Sequence, residues 1–191
     1  GVLERAASTV TPQPVMAVVG QPEVGMDVVA GGRLVVVCAG VGDPGNAGTV
    51  LRAAEAAGAD AVVVCAQSVD VYNPKCVRAS AGSLFHVPVV VGGDARSVLH
   101  DLGEVGLRRL GTVARAGTDY TTVDLTVPSA LVLGNEAGGL PADLGSEVDE
   151  WVTVPMEGRT ESLNVGMAAA VLCFEAARQR RAGDNGAEDG S

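Results

Sequence analysis

Short apolar runs rich in β-branched residues alternate along this chain with segments of helical period. The run at 34–39 is apolar without a break, as expected of a strand covered on both faces. Runs at 61–65, 87–91, 109–114, 130–134 and 151–154 predict further strands, and 15–19 predicts one more, entered from the Pro-punctuated stretch at 11–14. Between them the spacing predicts helices over 46–57, stopped by Gly58, over 74–80 and over 95–102. A longer helix over 162–180 closes the pattern, with Ser162 as its cap and Leu163, Met167, Ala170, Val171 and Phe174 as one apolar stripe. Such alternation predicts an α/β domain with a mainly parallel sheet flanked by helices.

Composition narrows the class. The chain has 191 residues, enough for one domain with a real core, and only 3% aromatics, so that core is built from Val, Ala and Leu. No apolar run approaches the roughly 20 residues that span a bilayer, and residues 1–5 lack the order of a signal peptide. Cys38, Cys65, Cys76 and Cys173 form no CxxC pair, and the first two sit inside Val-rich runs as small buried hydrophobes. Neither a metal site nor a disulfide framework is expected, and a reducing, cytoplasmic setting fits best. The net charge of −10 stands as an objection to a nucleic-acid partner.

One motif misleads. Gly40-Val41-Gly42-Asp43-Pro44-Gly45 matches GxGxxG after a strand, with Asp60 following at the distance of a dinucleotide-binding acid. Yet Asp60 precedes the second strand instead of ending it, and Asn46 caps the helix after the third glycine. A Gly-rich turn feeding a capped helix is the better reading.

Three other segments carry candidate chemistry. In the first, from Asp43 to Ala54, Gly48 leaves the first helical turn bare and Arg52 lies one turn on, as a clamp for a phosphate entering that groove or as a partner of Glu55. In the second, Gly134-Asn135-Glu136-Ala137-Gly138-Gly139 follows a buried strand, either as a close-approach loop with Glu136 as a hydrogen-bond acceptor or as a tight turn with a solvated acid. In the third, from Val154 to Val165, a strand end runs into a helix start, either as an anion site or for capping alone.

Taken in order, these segments resemble the three motifs of the SpoU/TrmH family of RNA ribose 2′-O-methyltransferases: Asn46 to Arg52, Gly134-Asn135-Glu136-Ala137-Gly138, and Pro155-Met156 to Ser162-Leu163-Asn164-Val165. Tyr72-Asn73-Pro74-Lys75 and the stretch from Arg78 to Phe85 are also similar to that family. The resemblance implies a C-terminal deep trefoil knot holding S-adenosylmethionine and no metal. It implies that Thr112, Val113, Ala114, Gly134, Asn135, Val154, Met156 and Leu163 bind the cofactor. Arg52, Asn46, Glu136, Ser162 and Asn164 would then form the catalytic set, with Arg52 as a charge-stabilising clamp, because a guanidinium rarely gives up its proton. RNA is the implied partner, ribosomal ahead of transfer RNA, together with a second copy of the chain. A transfer-RNA methyltransferase, or a non-catalytic RNA- or cofactor-binding module of this fold, is the alternative.

Residues 15–181 are expected to form the methyltransferase domain, 1–14 an N-terminal segment or interdomain linker remnant, and 182–191 a disordered acidic tail. Arg52, Arg78 and Arg159 fall in or beside the motifs, so the acidic total leaves room for a local arginine groove.

Overall fold

The computed structural model describes residue 15 and residues 17–188, with side chains described as far as residue 183. Among these residues seven strands form one sheet: β1 (Leu34–Cys38), β2 (Ala61–Val64), β3 (Val89–Val91), β4 (Arg108–Thr112), β5 (Thr118–Asp119), β6 (Ser129–Leu133) and β7 (Glu150–Thr153). Their spatial order is β3-β2-β1-β6-β4-β7-β5, and every pairing is parallel. Among the described residues, four α-helices connect and cover them: α1 (Pro44–Ala56), α2 (Pro74–Ala79), α3 (Ala95–Glu104) and α4 (Val165–Glu188).

The pleat divides the core into two layers. Leu34, Val36 and Cys38 of β1 face α1, α2 and α4, where they meet Val50, Leu51, Ala54, Cys76, Leu172 and Cys173. Val35 and Val37 face the other side, against Val98, Leu99 and Leu102 of α3 and Leu144 of a 3-10 turn. Both faces are therefore apolar, which is why β1 and β6 are buried at every position.

The order in which the strands arrive is unusual. β6 pairs with both β1 and β4, filling a slot between two earlier strands. β7 then fills the slot between β4 and β5. These insertions are consistent with the C-terminal knot. They also gather the loops after β1, β4, β6 and β7 at the carboxyl edge of the sheet, where open α/β folds place ligands.

Several boundaries differ from the sequence reading. Residues 17–20 form no strand, and Val15, Val18 and Val19 are exposed. Asp43, not Asn46, caps α1: its side chain accepts from the Asn46 N–H, with Pro44 following in the first turn. The Asp43-Pro44 pair carried that signal. Asn164, not Ser162, caps α4, because Asn164 Oδ1 accepts from the N–H groups of Gly166 and Met167. α4 continues to Glu188, past the domain end placed at 181, so residues 182–188 are helical. Residues 1–14 and 189–191 lie outside the described residues.

Of the apolar stripe expected along α4, Leu163, Ala170 and Val171 are half-buried, but the fully packed side lies elsewhere. The buried side carries Ala169, Leu172, Cys173 and Ala176, while Met167 and Phe174 are 57% and 48% exposed. Small residues on the inner face let the helix approach α1 closely: a Cβ on Gly166 would come within 2.8 Å of Thr49 Cγ2. Farther along α4, buried Arg180 donates from Nε to Leu125 O and from Nη2 to Arg33 O, clasping the helix to the sheet's opposite edge.

Gly48 does not open a groove. It is buried, and a Cβ there would lie 2.5 Å from Ala79 Cβ and 2.6 Å from Cys76 O. Its missing side chain is the space that α2 occupies. Gly48→Ala is expected to cost about 1–3 kcal/mol through overpacking against backbone. Gly183→Ala, on a helical glycine with open space around it, is expected to be neutral or stabilising by up to about 1 kcal/mol. Urea midpoints of the two variants check the contrast.

Candidate active site at the carboxyl edge of the sheet

The three motif segments meet through one carboxylate. The β6 loop turns back sharply: Asn135 and Gly139 exchange backbone hydrogen bonds, and a Cβ on Gly134 would come within 2.3 Å of the Gly139 carbonyl carbon. This reversal carries Glu136 over the start of α1. Glu136 Oε2 accepts from the Gly42 N–H at 3.1 Å, and Oε1 accepts from the Asp43 N–H at 3.0 Å and from Asn46 Nδ2 at 2.9 Å. Asn46 Oδ1 in turn accepts from Asn164 Nδ2 at 2.8 Å. Since Asn164 caps α4, one line of hydrogen bonds joins the loops after β1, β6 and β7.

Two neighbours brace this line. Asn135 Nδ2 donates to Gly40 O at 3.1 Å, which ties the β6 loop to the turn after β1. Lys75 Nζ, from α2, lies 2.8 Å from Asp43 Oδ2 and holds the Asp43 carboxyl below its usual range, together with the hydrogen bond from Asn46 N–H. Burial alone pushes the Glu136 carboxyl up, but the hydrogen bonds from Asn46, Asp43 and Gly42 outweigh it and keep the group ionised. A carboxylate so committed is a tie between loops and is poorly placed to act as a base.

Below this network lies a cleft of about 470 Å³, within the size range of small-molecule sites. Thr112, Val113, Ala114, Gly134, Asn135, Val154, Met156 and Leu163 all line it, as do Glu136, Ser162 and Asn164. Leu140, Val165, Ala168 and Leu172 extend its apolar wall, and Ala137, Gly138 and Gly139 add backbone. Ala137, Gly138, Gly139, Leu140 and Val165 belong to the motif segments, whereas Ala168 and Leu172 carry no chemical signature in the sequence, being apolar helix positions. Asn46 stands behind the cleft and acts through Glu136 and Asn164. Arg52 does not line the cleft; it is exposed on α1 and has no hydrogen-bond or ion-pair partner among the described residues. Glu55, its expected alternative partner, accepts instead from Ser83 Oγ at 3.4 Å.

Other chemistries lack support here. Asp60 Oδ2 accepts from the N–H groups of Arg33 and Leu34, so this acid pins the beginning of β1, at the edge of the sheet away from the cleft. All four cysteines are free and buried, and burial pushes the Cys65 and Cys76 thiols up to about 11 and the Cys173 thiol up to about 12. Thiols of that kind are inert near neutral pH. Among the described residues there is no group of three or more His, Cys, Asp or Glu side chains able to hold a metal, and no helix long and apolar enough to cross a membrane.

Comparison with known proteins gives the same direction. Residues 33–174 match the SpoU rRNA Methylase family. Over 166 residues the chain is 40% identical to the 23S rRNA (guanosine(2553)-2′-O)-methyltransferase RlmP of Bacillus subtilis (strain 168), a match covering 87% of this chain and 65% of that protein. It is 37% identical over 145 residues to the 23S rRNA (uridine(2479)-2′-O)-methyltransferase of Streptomyces viridochromogenes, covering 73% of this chain and 50% of the relative. Among solved structures, the SpoU methyltransferase AviRb from Streptomyces viridochromogenes in complex with the cofactor AdoMet superposes with a TM-score of 0.75 at 33% identity, over 84% of this chain and 66% of that one. The chain thus spans between half and about two thirds of the length of these relatives.

The Glu136 tie has a pH signature. Its folded-state pKa lies below the ordinary 4.5, so the stability it confers is present above pH 4.5 and is lost as pH falls through the depressed value. Glu136→Gln is expected to lower stability at pH 7 by about 1 kcal/mol, since the carboxylate is open to solvent and its N–H partners can turn to water. The same change is expected to flatten the fall in urea midpoint below pH 4.5. An unchanged acid limb in the variant would show that the tie does not depend on the charge.

Proposed function

We propose, from the premise that this chain belongs to the SpoU rRNA methylase family, that it transfers a methyl group from S-adenosylmethionine to a ribose 2′-hydroxyl of RNA, with 23S ribosomal RNA as the substrate, in the cytoplasm. The observation that carries this reading is the Gly42/Asp43–Glu136–Asn46–Asn164 line, which draws three motif loops around one apolar cleft. The names of the relatives, both 23S rRNA 2′-O-methyltransferases, support the substrate class.

The cleft suits the cofactor on its own evidence. Val113, Val154, Leu163 and Leu172 offer apolar walls for an adenosyl group, and the 134–140 loop exposes backbone groups that can read a base edge. S-adenosylmethionine, when bound, supplies an electrophilic sulfonium methyl. The chain's part is to present the ribose hydroxyl to it, shield the reaction from water, and handle one proton. Ser162 and Asn164, on the rim, are the groups we assign to positioning the ribose. Asn46 and Glu136 hold those groups in place.

Arg52 is assigned the clamp on a nucleotide phosphate and on the charge developing at the attacking oxygen. A guanidinium rarely gives up its proton, so the hydroxyl proton goes to water or to a phosphate oxygen. Because Arg52 does not line the cleft of its own chain, we assign it to the cleft of a second copy. The exposed α4 stripe of Met167 and Phe174, on the helix packed against α1, is the surface we assign to that homodimer.

Calorimetric binding of S-adenosylmethionine, together with transfer of tritiated methyl to unmodified total RNA and mapping of the product, tests the reading. Label in ribosomal RNA is expected; label in transfer RNA would move the substrate, and no cofactor uptake would sink the proposal. Arg52→Ala is expected to lower kcat by about 10²–10³-fold. Arg52→Lys is expected to recover little of it, because lysine lacks the planar fork. A Met167→Glu/Phe174→Glu variant is expected to sediment as a monomer and to lose activity while still folding. A wild-type chain that is active as a monomer would refute the shared site.

A further inference from the structure

A second cavity, of about 360 Å³, adjoins the cofactor cleft and shares Ala114 and Met156 with it. Its remaining wall includes Arg115, Thr153, Arg159, Thr160 and Glu161. Two arginines and one carboxylate therefore surround a hollow at the edge of the proposed reaction centre, on a chain whose total charge is −10.

How the basic side chains are used elsewhere makes this pair informative. Lys75, Arg96, Arg108, Arg109 and Arg178 are each paired with a carboxylate, and Arg180 is buried against backbone carbonyls. Arg33 and Arg78 also have partners. Among the described residues, only Arg52, Arg159 and Arg181 of the lysines and arginines have no hydrogen-bond or ion-pair partner. Arg181 lies toward the far end of α4. Arg159 is therefore an uncommitted guanidinium on the cavity rim. Arg115 has only a loose, exposed partner, with its Nη2 3.6 Å from Glu161 Oε1.

The segment carrying Arg115 is held firmly despite its exposure. Ala116 adopts a positive φ of 63°, a left-handed conformation that a residue with a Cβ seldom takes without reason. The next residue, Gly117, packs so closely that a Cβ would lie 2.9 Å from Thr153 N. Thr153 Oγ1 donates to Ala114 O at 3.1 Å and fixes the other side of the same turn. The turn thus presents Arg115 from a braced backbone, opposite Arg159 on the loop after β7.

We propose that this second cavity is a phosphodiester subsite, in which Arg115 and Arg159, helped by the Thr160 hydroxyl, hold one backbone phosphate of the RNA strand next to the ribose at the cleft. The inference rests on the methyltransferase reading for the identity of the strand. Two forked guanidinium groups match the geometry and charge of a phosphate. Glu161 is displaced from Arg115 as the phosphate enters, so it acts as a mild competitor. A phosphate and the carboxylate of the cofactor are both oxyanions, and separate measurements distinguish them.

The test uses the 191-residue chain, a 5′-fluorescein uridine decamer read by anisotropy across a KCl series, and calorimetry with S-adenosylmethionine. Arg115→Ala/Arg159→Ala is expected to weaken decamer binding about tenfold at low salt. It is also expected to reduce the slope of log affinity against log salt by about 0.7, the loss of one neutralised phosphate on a single strand. Cofactor affinity is expected to stay unchanged. Glu161→Gln is expected to act in the opposite sense and tighten decamer binding. Unaltered RNA affinity and slope in the double variant would overturn the subsite, as would binding of cofactor but not decamer by the wild type. A loss of cofactor affinity in the double variant would reassign the cavity to the cofactor. If the wild type took up no cofactor while its decamer binding remained arginine-dependent, the methyltransferase reading would fall and the phosphate subsite would stand.

Discussion

A single carboxylate organises the functional edge of this protein. Glu136 leaves a strand end that has no regular structure to continue into, and it reaches three donors at the mouth of α1. Two of those donors are the N–H groups of Gly42 and Asp43, just ahead of the helix. The third, Asn46, passes the constraint on to Asn164 and so to the start of α4. Each bond is ordinary in strength, but together they convert three loops, remote in sequence, into one wall. The cofactor residues assigned here are mostly backbone and apolar. Their usefulness depends on loop position, and loop position depends on this tie.

That dependence explains what could and could not be read from the chain. Buried strands such as Leu34–Cys38 and Ser129–Leu133 announce themselves, because a sheet covered on both faces demands unbroken apolar runs. The helix caps were harder. Asn46 and Ser162 are good cap residues by type, but Asp43 and Asn164 hold those places, and Asn46 is spent on the bridge between loops. A polar residue near a helix start satisfies several roles equally well in sequence, and only the neighbouring loop decides among them.

The glycines illustrate the same point. Gly48 and Gly134 look alike in sequence, each in a motif and each free of a side chain. Gly48 makes room for α2 within the core, and Gly134 makes room for its own loop to fold back beside the cleft. On α4, Gly166, Ala169, Leu172, Cys173 and Ala176 carry the inner face, while Met167 and Phe174 are turned outward. Gly166 stands there because close contact with Thr49 leaves no room for a side chain. Long-range pairings such as Arg180 with the carbonyls of Arg33 and Leu125 leave no local mark at all.

The late insertion of β6 between β1 and β4 bears on how the protein is made. β1 finds one neighbour early, in β2, but its other edge waits for Ser129–Leu133, roughly 95 residues downstream. At a synthesis rate of about 5–20 residues per second, that edge stays unpaired for about 5–20 seconds on the ribosome. During that interval an entirely apolar strand offers its backbone to any passing chain, a hazard for aggregation. The nascent chain therefore has reason to be shielded until residues 129–133 emerge to fill that gap.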